Sequence, residues 1–311
     1  MATEASKYPT HYVTNSFTAS AQEIVETYGV ARYKEANPSF FTTVTFPFLF
    51  GVMFGDIAHG SLLFLLGTYL CFNKDNITNF ALKILLPHRY LLTLMGFFAT
   101  YCGFIYNDFM SISLDLFGSC YNMEHLVEDK PIHRISTECV YTVGIDPVWA
   151  VASNNLNYIN SLKMKISVII AIVHMTLGVF LKASNAINFR KPLDFIFEFI
   201  PQLAFITVLF AYMDFLIVYK WLVDWNIRNS DEAPSIITTM INLPLRLGKT
   251  GDCHGCWPLW GTPGDTSQDH IQLILLIIAA ISVPLMLLPK PIIEICCHSA
   301  PAPKMASRKS K

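Results

Sequence analysis

Charge is what this sequence has least of. Only 14% of its 311 residues are Asp, Glu, Lys or Arg, and the formal net charge is −1. Soluble domains carry about a quarter of such residues. A near-neutral balance provides no basic field for nucleic acid and no acidic one for basic partners. Also missing are a glycine-rich phosphate loop, a nucleophile elbow and an HExxH metal motif. No catalytic residue, metal or cofactor is therefore expected, and a soluble enzyme is excluded. The opening stretch MATEASKYPTHYVTNSFTASAQEIVETYG has no basic segment leading into an apolar one, so a cleavable signal peptide is not expected either. There is no internal repeat, and no low-complexity tract apart from the terminal tail.

Apolar residues take the place of charge. They make up 53% of the chain, with 23 Phe and 13 Tyr, and the mean hydropathy is +0.42. Surface of that kind must face lipid, so the fold class expected is all-α: a polytopic transmembrane protein. A helix needs about 20 apolar residues to cross roughly 30 Å of hydrocarbon. Six spans are expected, at about 40–55, 57–73, 90–109, 163–182, 195–220 and 270–289. The fifth should be kinked near Pro201, because proline removes a backbone hydrogen bond. Residues 40–289 form the transmembrane domain on this reading. Residues 1–39 are the cytosolic end of a preceding region, and 290–311 are a cytosolic tail. Two long loops, 110–162 and 221–269, lie between spans.

Basic residues orient the spans. Lys7, Arg32, Lys34, Lys74, Lys83, Arg89, Lys182, Arg190, Lys191 and Lys290 lie in the N-terminal region, in short loops and after the last span, and the tail is basic as well. The two long loops hold only Lys130, Arg134, Arg228, Arg246 and Lys249. The positive-inside rule makes both termini cytosolic and both long loops lumenal. Cys120 and Cys139 then lie in the first lumenal loop, and Cys253 and Cys256 in the second, where an oxidising compartment could pair them. The stretch CHGC at 253–256 is a lone CxxC without the second ligand pair of a zinc site or the strand-helix context of a redox site, so a disulfide or idle thiols are favoured over metal or redox chemistry.

The polar residues inside the spans, or at the turn between the first two, are the candidate sites. Residues 40–72 read FFTTVTFPFLFGVMFGDIAHGSLLFLLGTYLCF, and a carboxylate at bilayer depth costs roughly 2.5 to 3.5 kcal/mol on insertion scales. Asp56 and His59 are three apart and share a helical face. His174 lies in the fourth span and Asp214 in the fifth. One reading makes these four a proton path, the default for ionisable groups at this depth. The other makes Asp56 the cap of the second helix, and the glycine-rich turn FGD favours it. Gly51, Gly55 and Gly60 are expected to let the first two helices meet closely in a hairpin.

Several long stretches resemble one family. YGVARYKEANPSFFTTVTFPFLFGVMFGDIAHG (28–60), RYLLTLMGFFATYCGFIYNDFMS (89–111), YTVGIDPVWAVASNNLNYINSLKMKISVIIAIVHMTLG (141–178), FIPQLAFITVLFAYMDFLIVYKW (199–221) and PLMLLPKP (284–291) occur in order. They are similar to the membrane domain of subunit a of the eukaryotic vacuolar proton-pumping ATPase. The resemblance implies an integral stator subunit of the membrane (V0) sector. Its partners would be a proteolipid ring, other subunits of that sector and membrane lipid, with the ATP-hydrolysing (V1) sector reached indirectly. It also implies residence in a vacuole, endosome or other acidic compartment, and a role in ATP-driven proton transport with hydrolysis on other subunits. In that family a long cytosolic half precedes this region, and two tilted helices carrying an essential arginine follow it. Neither is here, and none of the six spans contains an arginine, so the chain is expected to be a fragment or truncated form. Where the family has glycine before the histidine, this chain has Ala58. A free-standing secondary transporter using the Asp and His residues is the alternative; it predicts two related halves, which the sequence does not show.

Overall fold

A computed structural model describes residues 10–121, 134–136, 139–223, 225, 233–250, 258–260 and 266–298. It is all-helical. Among the described residues the extended pairings are isolated bridges, Phe109 with Ile112 and Tyr121 with Arg134. Helix α1 spans Ala19–Tyr28, α2 Ser39–Met53, α3 Ile57–Phe72, α4 Phe80–Leu85, α5 Arg89–Tyr106 and α6 Val148–Val151. Next come α7, Asn155–Asn188, and α8, Pro192–Leu222. Helices α9, Ile236–Leu245, α10, Ser267–Leu287, and α11, Pro289–His298, complete the order. Among the described residues, three helical stretches are long and apolar enough to cross a membrane: Asn155–Asn188, Pro192–Leu222 and Ser267–Ile293. Helices α2 and α3 are apolar but shorter. The chain divides into two compact units, Met1–Ser167 and Val168–Lys311.

The first unit is organised around α5. Helix α3 packs along it in antiparallel register, Ile57 beside Gly103, Gly60 beside Thr100, Phe64 beside Gly96 and Gly67 beside Thr93. On both helices these positions recur at steps of three and four, the spacing of one helical face. Each step sets a glycine against a larger partner. A Cβ on Gly60 would fall 2.5 Å from the Thr100 amide nitrogen, so only glycine permits the approach. Helix α2 uses the same helix differently. A Cβ on Gly51 would lie 2.6 Å from the Phe98 carbonyl, and one on Gly55 2.7 Å from the Tyr106 ring. The expectation that Gly51, Gly55 and Gly60 bring the first two helices against each other is thus corrected. All three glycines face α5, and α2 and α3 each pack on it rather than on one another.

Polar contacts close this unit at both ends of α5. At its start, His88 and Ser20 of α1 lie 3.0 Å apart side chain to side chain, and Phe17 meets the Tyr90 ring edge-on. At its end, Asn107 adopts the left-handed conformation that terminates a helix. Its amide donates to the carbonyls of Leu114 and Ile145. Buried Asp146 accepts from the Ser119 hydroxyl and from the Cys120 and Val148 amides. Cys120 is joined to Cys139 by a disulfide.

In the second unit Ile172, Val179 and Ala183 of α7 form a core with Phe199 and Ile206 of α8. Helix α8 widens into π-helical turns at Phe195–Phe199 and Thr207–Ala211. The first ends two residues before Pro201, whose ring and missing N–H disfavour regular α-helical bonding to the preceding turn. A second cluster joins Tyr212 and Leu216 of α8, Leu243 of α9 and Leu259, with Leu275 and Leu276 of α10 against it.

Candidate functional site

Asp56 sits in the turn between α2 and α3. Its backbone is extended, and its carboxylate accepts hydrogen bonds from the Ala58 and His59 amides, so it is the N-cap of α3. A first helical turn leaves amide groups without intrahelical partners, and a carboxylate there also complements the positive end of the helix. Two further donors reach the same group. The Met110 amide lies 3.3 Å from Oδ1, and His59 Nδ1 lies 2.6 Å from Oδ2. The Ile57 amide, which the cap leaves over, donates to the Asp108 carbonyl at 2.9 Å. The segment after α5 is thereby tied to the start of α3. The Asp56 side chain is 17% exposed and that of His59 68%. Burial would raise the Asp56 carboxyl, but the bonds from His59 and the three amides outweigh it and hold the group below its ordinary value. A cavity of about 450 Å³ adjoins the pair, lined in part by Phe54, Leu63, Asp108 and Lys163. Lys163 also lies 4.5 Å over the ring of Tyr106, whose hydroxyl donates to the Val52 carbonyl.

Asp56 and His59 are the candidates that the structure brings together. His174 and Asp214 belong to the second unit. His174 is exposed on α7. Asp214 lies near the start of the regular part of α8, and its Oδ1 is shielded without a hydrogen-bond partner among the described residues. Cys253 and Cys256 lie outside the described residues.

Two polar clusters went unseen in the sequence. In the second unit, Lys290 Nζ lies 2.9 Å from Asp194 and 3.3 Å from Glu198, and Lys182 lies 3.3 Å from Glu198. Lys191 adds a contact of 3.8 Å to Asp194. The ends of three long helices are thus tied by charge. The signal available was the four-residue spacing of Asp194 and Glu198 beside spans that end in lysine. The other cluster lies at the start of α10, where Gln268 and Gln272 are almost fully buried. Gln268 accepts from the Leu259 amide at 2.7 Å, and Gln272 donates to the Tyr212 hydroxyl at 3.0 Å. Glutamines four apart at the start of a helix that turns apolar from Leu273 onward were its signal.

Comparison with known proteins decides the family. Residues 1–311 match the V-type ATPase 116kDa subunit family. The chain belongs to that family. It is 39% identical over 322 residues to the human V-type proton ATPase 116 kDa subunit a 2, an alignment covering 94% of this chain and 36% of that protein. With the human V-type proton ATPase 116 kDa subunit a 4 the identity is 40% over 312 residues, covering 93% and 36%. A vacuolar proton translocating ATPase 100 kDa subunit of Dictyostelium discoideum is 40% identical over 293 residues, covering 91% and 35%. The chain therefore spans about a third of the length of these relatives. Within this 116 kDa subunit family, the capped turn at Asp56 and the α5 side of the glycine seam lie in stretches that carried the resemblance, whereas on α3 the stretch stops at Gly60, short of Phe64 and Gly67. The ion-paired helix ends lie only partly in such stretches: Glu198 and Asp194 fall just outside them and Lys290 within.

Proposed function

We propose that this chain is a stator subunit of the membrane sector of a proton-pumping ATPase and contributes to ATP-driven proton transport. The family match over residues 1–311 carries the reading. On it the chain stands beside a proteolipid ring in a vacuolar, endosomal or similar acidic membrane. ATP is hydrolysed by partners. The chain crosses the membrane six times, with α2, α3 and α5 joining the three long spans. Both termini are cytosolic and residues 110–162 and 221–269 are lumenal, as the lysine and arginine distribution supports. The three long spans contain no arginine. A rotary pump needs a fixed cation to pair with each ring carboxylate and block a proton short circuit, so the part assigned to these residues is scaffolding, not proton transfer. Asp56 and His59 belong to that scaffold as a helix cap. The matches lend no support to a free-standing transporter.

Affinity purification of the tagged chain from its native membranes in mild detergent tests this. Proteolipid and other membrane-sector subunits are expected to co-purify. Recovery of the chain alone, from membranes whose ring is otherwise intact, overturns it.

A further inference from the structure

Helix α9 has two apolar faces and, among the described residues, only one is packed. Its sequence, IITTMINLPL, carries no charge. Ile236, Met240 and Leu243 turn inward against Tyr212, Leu216 and Leu275 of the flanking long helices. Ile237, Ile241 and Leu245 form a second row at steps of four, 68%, 53% and 75% exposed, and Leu247 continues it at 60%. A loop helix in water would place polar residues there. The surroundings say what covers this row. Tyr219, Trp225 and Trp260 pack around the inner face, and such rings collect where a membrane meets water. Trp221 and Leu222 at the end of α8, and Ile271 and Ile274 at the start of α10, are exposed apolar residues of stretches long enough to span a membrane. Exposed Arg246 and Lys249 follow the helix directly, placed for lipid headgroups. The Lys220 ammonium donates to the Pro234 carbonyl at 2.6 Å, which ties the start of the helix to the end of α8.

We infer that α9 is an interfacial helix, lying along the bilayer surface with Ile237, Ile241, Leu245 and Leu247 among the acyl chains of the leaflet where α8 ends and α10 begins. The inference rests on the reading of α8 and α10 as membrane spans. At 10 residues the helix is about 15 Å long, too short to cross and long enough to lie flat.

Power-saturation EPR on the full chain reconstituted in phosphatidylcholine vesicles tests it. A nitroxide is attached through p-acetylphenylalanine, one position at a time, at Ile237, Ile241 and Leu245. Ile278 and Ile281 in α10 serve as span references, and Asp75 as the aqueous one. Oxygen partitions into lipid and a nickel chelate into water. The ratio of oxygen to nickel accessibility at the α9 positions is expected to exceed that at Asp75 severalfold and to stay below that at Ile281. A ratio equal to that at Asp75 places the row in water and overturns the inference, while lipid-like values at Ile278 and Ile281 keep the span reading intact. Protection from both reagents means that protein covers the row, which overturns it too. Aqueous values at Ile278 and Ile281 sink the span reading and the inference together.

Discussion

Asp56 and Asp214 are the same residue type in opposite circumstances. The first gathers hydrogen bonds from Ala58, His59 and Met110; the second has a shielded oxygen with none among the described residues. One substitution should therefore have opposite signs at the two sites. Asp56→Leu is expected to destabilise the detergent-solubilised chain by about 1 kcal/mol, the worth of a helix cap, and Asp56→Asn by less, since it keeps an acceptor. Asp214→Leu is expected to stabilise it by about 1 to 3 kcal/mol, the cost of an unmet polar group. Melting temperatures of the three variants check this, and a loss of stability in Asp214→Leu would show that its carboxylate has a partner. The pH dependence follows from the lowered Asp56 carboxyl. A depressed carboxylate contributes stability above its unfolded value of about 4, lost as pH falls through the lower folded value. The cap should thus persist at pH 5, and the acid limb it causes should be missing from Asp56→Asn. This cap was legible in advance, because an Asp after a glycine and before an apolar helix has few other local uses. The Lys290–Glu198 contact was not legible, since its partners lie 92 positions apart and nothing local pairs them.

Hydropathy locates helices but not their neighbours. The expected spans at 163–182 and 195–220 fall inside Asn155–Asn188 and Pro192–Leu222, and in the turns NLNYINSLK that extend α7 backward three asparagines, a serine and a lysine dilute the apolar residues below the level of a span. Glycine spacing showed that something approaches closely, yet only the fold identifies α5 as the common partner. Small substitutions can separate seam from spacer. Gly60→Ala and Gly96→Ala each drive a methyl into the backbone of the facing helix and are expected to cost about 1 to 3 kcal/mol through overpacking. A Cβ added at Gly178 would meet nothing within 4 Å; Gly178→Ala should instead stabilise α7 by up to about 1 kcal/mol through helix propensity. Thermal aggregation midpoints of the three single variants are the measurement. Equal losses at all three would mean that the α3–α5 seam is not the tight contact.

For the chain as a whole, lysine and arginine placement was the only guide to sidedness, and the disulfide makes it testable. Cys120 and Cys139, 19 positions apart, close a loop whose link is worth about 3 kcal/mol. In a chain that keeps only these two cysteines, a membrane-permeant reductant followed by an impermeant maleimide on sealed, cytosolic-face-out vesicles is expected to give no labelling. Detergent should then expose both thiols. Labelling before detergent would invert the proposed topology. The pairing of Cys120 with Cys139 could not be chosen from four candidate cysteines by sequence, because Asp146, 26 positions past Cys120, holds the Cys120 amide. One consequence of the central place of α5 concerns biosynthesis. Helices α2 and α3 emerge from the ribosome first, short and without their shared partner, and both contacts can close only once Tyr106 has left the exit tunnel. Until that moment two glycine-lined grooves stand open, so the time needed to translate from Asn73 to Tyr106 sets how long the nascent chain relies on the insertion machinery to shield them.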